Sequence, residues 1–185
     1  MIFICTITRG LIEARTTYDT IQMIGCTKEV AYGVAQGTYI NNLREGVIAS
    51  LLKTSATHCL FIDSDMMFPP DTANILMKHN KDIVGANYRS RVEPKKWTAK
   101  LDGKPLSSES LDGISKADSL GMGVCLLKLD MFRKMPQPWF DMKWNGTFYD
   151  GEDESMCTKA RILGFEVFVD HDLSKQVRHI GSIEL

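Results

Sequence analysis

Apolar residues along this chain fall into two alternating patterns, which predict alternating strands and helices. Short continuous apolar runs predict buried strands, because they are too brief for helices. Segments whose apolar residues recur every three or four positions predict helices that bury one face. The predicted strands are 2–8, 30–34, 59–63, 83–86, 124–129 and 165–169, and the predicted helices are 10–23, one from 38 onward, one after 71, 130–135 and 152–163.

The order of these elements predicts an α/β fold. Strands that alternate with helices build a mostly parallel, doubly wound sheet with helices on both of its faces. Helix ends are predicted where residues have capping chemistry. Gly25 is expected to close the first helix, Thr38 and Asp130 to begin helices, and Gly164 to end the last one.

The region 90–117 departs from this pattern. Asp102-Gly103 and Asp112-Gly113 mark turns, and Pro, Ser and Lys are frequent there. We expect a long flexible loop with a small hairpin, a kind of segment that often acts as a functional lid. Further along, 136–140 predicts a rigid turn that exposes an aromatic pair, Trp139 and Phe140.

Composition narrows the class of protein without giving a function. A chain of 185 residues that is 44% hydrophobic, with a net charge of −1, predicts one globular domain over 1–185 and no nucleic-acid partner. It has no apolar run near the roughly 18 residues that a transmembrane span needs, and its start does not resemble a signal peptide. Five cysteines without CxxC spacing predict reduced thiols in a cytoplasmic protein. The oligomeric state stays open.

Asp63-Ser64-Asp65 follows directly after the apolar run 59–62. Alternation along a strand predicts that Asp63 and Asp65 point the same way and that Ser64 points the opposite way. Open α/β sheets bind ligands at the carboxyl ends of their strands, where this pair lies. Two neighbouring carboxylates repel each other unless a cation is near, and their oxygen atoms suit Mg²⁺ or Mn²⁺. An ordinary solvated turn at the end of a strand is the alternative.

Five segments in order resemble motifs of one enzyme family, the GT-A glycosyltransferases, particularly those similar to family 2. Residues 58–71 resemble its DxD segment, and Asn41-Asn42-Leu43-Arg44 resembles the arginine-bearing helix before it. Downstream, the similar segments are 121–127 with Gly121 and Gly123, Gly151-Glu152-Asp153 before a helix, and His179-Ile180-Gly181.

The resemblance implies a fold, a reaction and a set of roles. The fold would be that of nucleotide-diphospho-sugar transferases, with 1–88 as the nucleotide-binding half and 89–185 as the acceptor half. Asp65 would bind Mn²⁺ or Mg²⁺ directly, His179 would complete the metal site, and Asp63 would contact the ribose or hold the metal through water. In this family pattern the base is Asp153, beside Glu152. The helix N-terminus would keep Asp153 ionised but make it a weaker base. Capping by these acidic residues is the alternative.

Other residues are candidates for contacts with the donor, which we expect to be a UDP-sugar. They are Thr6, Thr8 and Arg9 at the end of the first strand, Ser64 in the DxD segment, Arg44, Arg89 and Arg91 for the diphosphate, and Gly121 and Gly123 for close backbone approach. Trp97, Trp139 and Trp144 either stack on sugars or close the core. His171 is the only rival of His179 as a ligand, since His58 and His79 are expected to be structural or exposed to solvent.

The sequence therefore predicts a metal-dependent glycosyltransferase that moves a sugar from a nucleoside-diphosphate sugar to an unidentified acceptor hydroxyl, with inversion. A phosphohydrolase of the haloacid dehalogenase type is the main alternative, with Asp63 as nucleophile and Asp65 as acid and base. A nucleotidyltransferase is a weaker alternative, because Thr8-Arg9-Gly10-Leu11 matches its first loop poorly. A sugar-binding module without turnover is a third.

Overall fold

A computed structural model describes residues 1–91, 93–147 and 149–181. Residue 92 of the predicted loop, residue 148 and the last four residues of the predicted domain 1–185 lie outside the described residues. The strands are β1 Ile2–Thr8, β2 Val30–Gln36, β3 His58–Asp63, β4 Met66–Met67, β5 Ile83–Ala86, β6 Lys100–Leu101, β7 Lys104–Pro105, β8 Ile114–Ala117, β9 Val124–Lys128, β10 Lys143–Trp144, β11 Tyr149–Asp150, β12 Val167–Asp170 and β13 Arg178–His179. The helices are α1 Ala14–Cys26, α2 Ile40–Leu51, α3 Thr72–Lys78, α4 Leu129–Lys134, α5 Glu152–Ile162 and α6 His171–Ser174.

Seven strands form the central sheet, in the order β2-β1-β3-β9-β5-β12-β8. Five of them run in one direction, whereas β9 and β8 run antiparallel to their neighbours. The predicted mostly parallel sheet is therefore confirmed. The carboxyl ends of β1, β3, β5 and β12 meet at one edge, where loops carry most of the predicted site residues.

Helices cover both faces of this sheet, as predicted. One hydrophobic cluster packs Ile48 of α2, Phe132 of α4 and Met156 of α5 against the sheet. The opposite cluster holds Met23 of α1 and Leu76 of α3. All five thiols are free and four of them are buried, in agreement with the predicted core cysteines.

Several predicted helix ends are wrong by a few residues. Helix α1 continues through Gly25 to Cys26, because a glycine inside a helix weakens it without ending it. Helix α2 begins after Tyr39 rather than at Thr38, and α4 begins after Lys128, so Asp130 lies in its first turn instead of capping it. Gly164 does follow the last turn of α5, with a φ of +86° that favours glycine.

The predicted loop 90–117 is more structured than expected. Its predicted hairpin is present as β6 and β7, but β8 is an additional strand at the edge of the sheet, antiparallel to β12. The sequence of β8, Ile114 to Ala117, gave little signal, because an edge strand needs few apolar residues. The aromatic pair after it is also buried: Trp139 donates its indole N–H to the carbonyl of Met135 at 2.8 Å, and Phe140 packs on Phe61.

In the part of the chain that the structure describes, no helix has the length and apolar character that a membrane crossing requires.

Candidate functional site

A cavity of about 430 Å³ opens where β1 and β3 end, and we call it the first cavity. It gathers residues that are far apart in the sequence, including the strand-end carboxylates and His179. Nine of the predicted site residues line it: Thr8, Arg9, Arg44, Asp63, Ser64, Asp65, Arg91, Glu152 and His179. The predicted base Asp153 and the predicted contacts Thr6, Gly121, Gly123 and Arg89 do not line it.

Asp65 and His179 are held next to each other by a short antiparallel ladder. Strand β13 pairs with β4, and the amide of Ile180 donates to the carbonyl of Asp65 at 2.7 Å. This brings His179 Nε2 to 3.1 Å from Asp65 Oδ1, while Arg91 Nη1 lies 2.6 Å from Asp65 Oδ2. Burial opposes ionisation of Asp65, but the hydrogen bond from His179 and the positive charge of Arg91 outweigh it. The pKa of Asp65 is therefore lowered, and its carboxylate is charged.

Arg44 bonds to two carboxylates of the site, those of Asp63 at the end of β3 and Glu152 at the start of α5. Its side chain is 3% exposed on α2, and its Nη2 donates to Asp63 Oδ1 at 2.8 Å while its Nη1 donates to Glu152. Burial disfavours the charge, but the two carboxylates overcome it and raise the pKa of Arg44. The two terminal nitrogens of Arg44 thus bond within the protein, whereas its buried Nε has no hydrogen-bond partner among the described residues. These contacts give no support to the predicted role in diphosphate binding. Glu152, bound to Arg44, is a poor candidate for a base.

Asp153 differs from the sequence-based expectation. A carboxylate at a helix N-terminus was expected to be a weak base. Burial of the carboxyl, and then the negative charge of Glu152, instead raise the pKa of Asp153 to about 6, against the lowering effect of Arg44 and of the amide of Glu154. At pH 7 the group is still ionised in about nine molecules of ten. Asp153 is therefore a stronger base than expected, and its carboxyl group is still mostly ionised at pH 7.

The loop after β1 forms one wall of the first cavity. The Thr8 hydroxyl donates to the carbonyl of Leu11 at 2.6 Å and accepts from the amide of Gly10 at 3.0 Å. Thr8 thereby fixes the backbone that presents Arg9. Thr6, in contrast, is fully buried beside the hydroxyl of Tyr32 and does not line the first cavity, so this burial does not favour the predicted contact with the nucleotide.

The segment that carries Ser64 is a turn rather than the predicted continuation of the strand. Strand β3 ends at Asp63, and Ser64 and Asp65 lie in the turn that follows it. Strand alternation does not extend into a turn, and Ser64 lines the first cavity together with both aspartates. The carbonyl of Ser64 accepts from the amide of Glu13 at 2.8 Å, which joins this turn to the start of α1.

Gly121 and Gly123 allow a close approach, but the approaching group is part of the protein. The hydroxyl of Tyr88 accepts from the amide of Gly123 at 2.8 Å, and it would lie 2.5 Å from a Cβ added there. At Gly121 the same hydroxyl would lie 2.8 Å from an added Cβ. Sequence analysis did not identify Tyr88, although its position just after β5, at the ligand-binding edge of the sheet, could have suggested it.

Gly123→Ala is expected to destabilise the protein by about 2 kcal/mol, because overpacking a filled interior displaces side chains. The new Cβ would lie within 3 Å of both the hydroxyl and the ring of Tyr88, which is 5% exposed. Urea denaturation would measure the change in free energy of unfolding. Gly10→Ala is the matched control, because nothing lies within 4 Å of a Cβ there. Equal stabilities of the two variants would contradict the prediction.

The other histidine and tryptophan candidates differ in burial and in their hydrogen-bond partners. His171 is fully buried between the hydroxyls of Ser115 (2.7 Å) and Ser108 (2.8 Å), so it is not a rival ligand. His79 bonds to Asp170 at 2.7 Å and is structural, as expected. Trp139 belongs to the core, whereas Trp144 is 58% exposed on the β10–β11 hairpin and Trp97 is half-buried.

The site offers two neighbouring protein ligands for a divalent ion. Among residues 1–91, 93–147 and 149–181, no group of three or more histidine, cysteine, aspartate and glutamate side chains is arranged to hold a metal. The predicted three-ligand set does not form, because Asp63 bonds to Arg44 and the two oxygens of Asp65 contact His179 and Arg91. Asp65 and His179 have donor atoms that Mg²⁺ or Mn²⁺ accepts, but an ion would have to replace the contact between them. Such ions commonly take one or two protein ligands and complete their shell with substrate phosphates and water.

Comparisons with known proteins address the fold. No family model matches the chain, and no curated protein matches it. Among solved structures, the chain is similar to A197 from STIV, with a TM-score of 0.63 and 15% sequence identity, over 91% of this chain and 81% of that one. At this identity the likeness shows the fold alone. The chain thus has a mixed α/β fold built on a mostly parallel seven-stranded sheet.

Proposed function

We propose that the protein is a metal-dependent glycosyltransferase that uses a nucleoside-diphosphate sugar, with a UDP-sugar as the favoured donor. The observation that carries this proposal is the charge balance of the first cavity. Three guanidinium groups, of Arg9, Arg44 and Arg91, face four carboxylates, of Glu13, Asp63, Asp65 and Glu152. With His179 neutral, the formal charge of the lining is −1.

A cavity of this charge repels a diphosphate, and a divalent ion reverses the sign to +1. The cavity thus suits a ligand that arrives with a divalent cation better than a free anion. Asp65 and His179 would hold the ion, in keeping with their contact at 3.1 Å. A divalent ion offsets the negative charge that develops on a departing diphosphate, which is the chemistry that sugar transfer from such a donor requires.

The chain's own residues supply the remaining roles. Arg9 and Arg91 are exposed and line the first cavity, and Arg91 also pairs with Asp65, so both guanidinium groups would contact diphosphate oxygens. Arg44 positions Asp63 and Glu152 without touching the donor. Asp153 would accept the proton of the acceptor hydroxyl, as its raised pKa suits a general base near neutral pH. Direct attack by the deprotonated acceptor would invert the sugar.

The phosphohydrolase alternative gains no specific support. A nucleophilic Asp63 needs a free carboxylate oxygen directed at the substrate. Asp63 Oδ1 instead accepts a hydrogen bond from Arg44, which draws charge away from the carboxylate.

Mn²⁺ and UDP together are expected to raise the melting temperature by several degrees, whereas UDP with EDTA should have little effect. Asp65→Asn should remove this shift, because the amide keeps the shape of the side chain but not its charge. Asp71→Asn, at an exposed position, is the control. A shift that persists in Asp65→Asn would contradict the proposed metal role. A panel of nucleotide sugars tested for metal-dependent hydrolysis would then identify the donor, and hydrolysis of none would contradict the proposed function.

A further inference from the structure

A second cavity, of about 510 Å³, adjoins the first and has the opposite charge. His179 lines both cavities. The basic side chains of the second cavity are Arg89, Lys95, Lys175 and Arg178, and its one acidic side chain is Glu109. With His179 neutral, the formal charge of this lining is +3, in a chain whose net charge is −1. Such a local excess of positive charge attracts anions.

Three of these cations, those of Arg89, Lys175 and Arg178, are available to an anionic ligand, whereas Lys95 lies 3.8 Å from Glu93. Arg89 pairs with Glu109 and Lys175 with Asp112, but all four side chains are between 39% and 83% exposed. Exposed ion pairs contribute only about 0–1 kcal/mol, so a ligand can replace these carboxylates at little cost. Arg178 Nη1 donates to the carbonyl of Val177 at 2.8 Å, and no carboxylate of the described residues forms an ion pair with Arg178.

A flat apolar surface lies beside these charges. Trp97 is half-buried, and the guanidinium of Arg89 lies 5.0 Å from the centre of its ring system. A backbone bridge between the two residues fixes their relative positions. On the side that faces the first cavity, the ring of Tyr88 packs edge-on against that of His179, with centroids 5.5 Å apart. The second cavity thus combines a planar wall with cations, an arrangement that suits a sugar ring carrying an anionic group.

We propose that the second cavity binds the acceptor of sugar transfer, and that this acceptor is a sugar bearing a phosphate or carboxylate group. The inference rests on the proposed function. Arg178 and Arg89 would contact the anionic group with the paired N–H donors of their guanidinium groups, and Trp97 would pack against the ring. Because His179 belongs to both cavities, an acceptor bound here lies directly against the donor.

Isothermal titration with glucose 6-phosphate, glucuronate and neutral glucose, in EDTA and at constant ionic strength, tests the proposal. EDTA keeps the first cavity at its negative formal charge, so it does not attract anions. We expect saturable binding of at least one anionic sugar and at least tenfold weaker binding of glucose. Arg178→Gln should weaken the anionic sugar at least tenfold, since a charge-assisted hydrogen bond is lost. Lys104→Gln, at an exposed position on β7, should leave its affinity unchanged.

Two results would overturn the inference. One is the absence of saturable binding for both anionic sugars. The other is binding that depends on Arg9, tested with Arg9→Gln, because the anion would then occupy the first cavity. The separate melting-temperature measurement with UDP and Mn²⁺ tests the proposed function itself. If UDP and Mn²⁺ cause no shift while anion binding depends on Arg178, the second cavity is an anion site but the acceptor role is wrong.

Discussion

Asp153→Asn is expected to slow sugar transfer by about 10² to 10⁴-fold, the usual contribution of a general base. The amide keeps the size of the side chain and removes only its ability to accept a proton. In the wild type the rate should rise with pH through about 6, the pKa of Asp153, and then level off. This pH dependence should disappear in the variant. The matched control is Glu154→Gln at the next position, whose carboxylate pairs with Lys100 rather than facing the site.

The same substitution is expected to stabilise the protein at neutral pH. A carboxyl whose pKa is higher in the folded state than in the unfolded state favours folding when it is protonated. The favourable contribution is complete below the unfolded pKa near 4 and is lost as pH rises through about 6. The asparagine variant does not carry this loss, so it should be more stable than the wild type by about 2 kcal/mol at pH 8 and equally stable at pH 4.

Thermal unfolding at both pH values measures this difference. A variant that is inactive and more stable would identify Asp153 as a residue maintained for activity at a cost in stability. A variant with normal activity would exclude Asp153 as the base. A variant that is less stable than the wild type at pH 8 would mean that burial does not raise the pKa of Asp153 in solution.

Arg44→Met is expected to destabilise the protein by about 3–5 kcal/mol, the typical cost of removing one partner from a buried ion pair. Methionine fills much of the same space above Phe61, where the guanidinium now lies 5.8 Å from the ring centroid. It leaves Asp63 and Glu152 without their shared cation. Lysine should restore only part of the stability, because a single ammonium group cannot donate in two fixed directions as a guanidinium does.

Urea denaturation of single and double variants separates charge from packing. Adding Glu152→Gln to Arg44→Met should recover about 1–2 kcal/mol, because one of the two unpaired carboxylates becomes neutral. Arg9→Met is the control for loss of an exposed guanidinium and should change the free energy of unfolding by less than about 0.5 kcal/mol. A loss below 1 kcal/mol in Arg44→Met would mean that the ion-pair network contributes little.

Most of the fold could be predicted from local sequence pattern. The strands at 2–8, 59–63 and 83–86 are continuous apolar runs, and such runs are buried whatever their neighbours are. Strand β8 could not be found in this way, because Ile114 to Ala117 lie at the sheet edge and are held there by pairing with β12. Trp139 and Phe140 were misjudged for a related reason. A turn with two prolines resembles an exposed segment, and only packing against Phe61 and Phe132 buries it.

Local sequence pattern likewise predicts only part of the candidate site. The sequence by itself determined which residues lie at the carboxyl ends of the strands, because strand position follows from the hydrophobic pattern. It could not determine their partners, since Arg44, Asp63 and Glu152 are joined by contacts across 108 positions of the chain. Only the tertiary structure committed Arg44 to two carboxylates, placed His179 against Asp65 and buried Asp153 enough to raise its pKa. Hydrogen bonds and desolvation depend on distance in space, which no spacing in the sequence encodes.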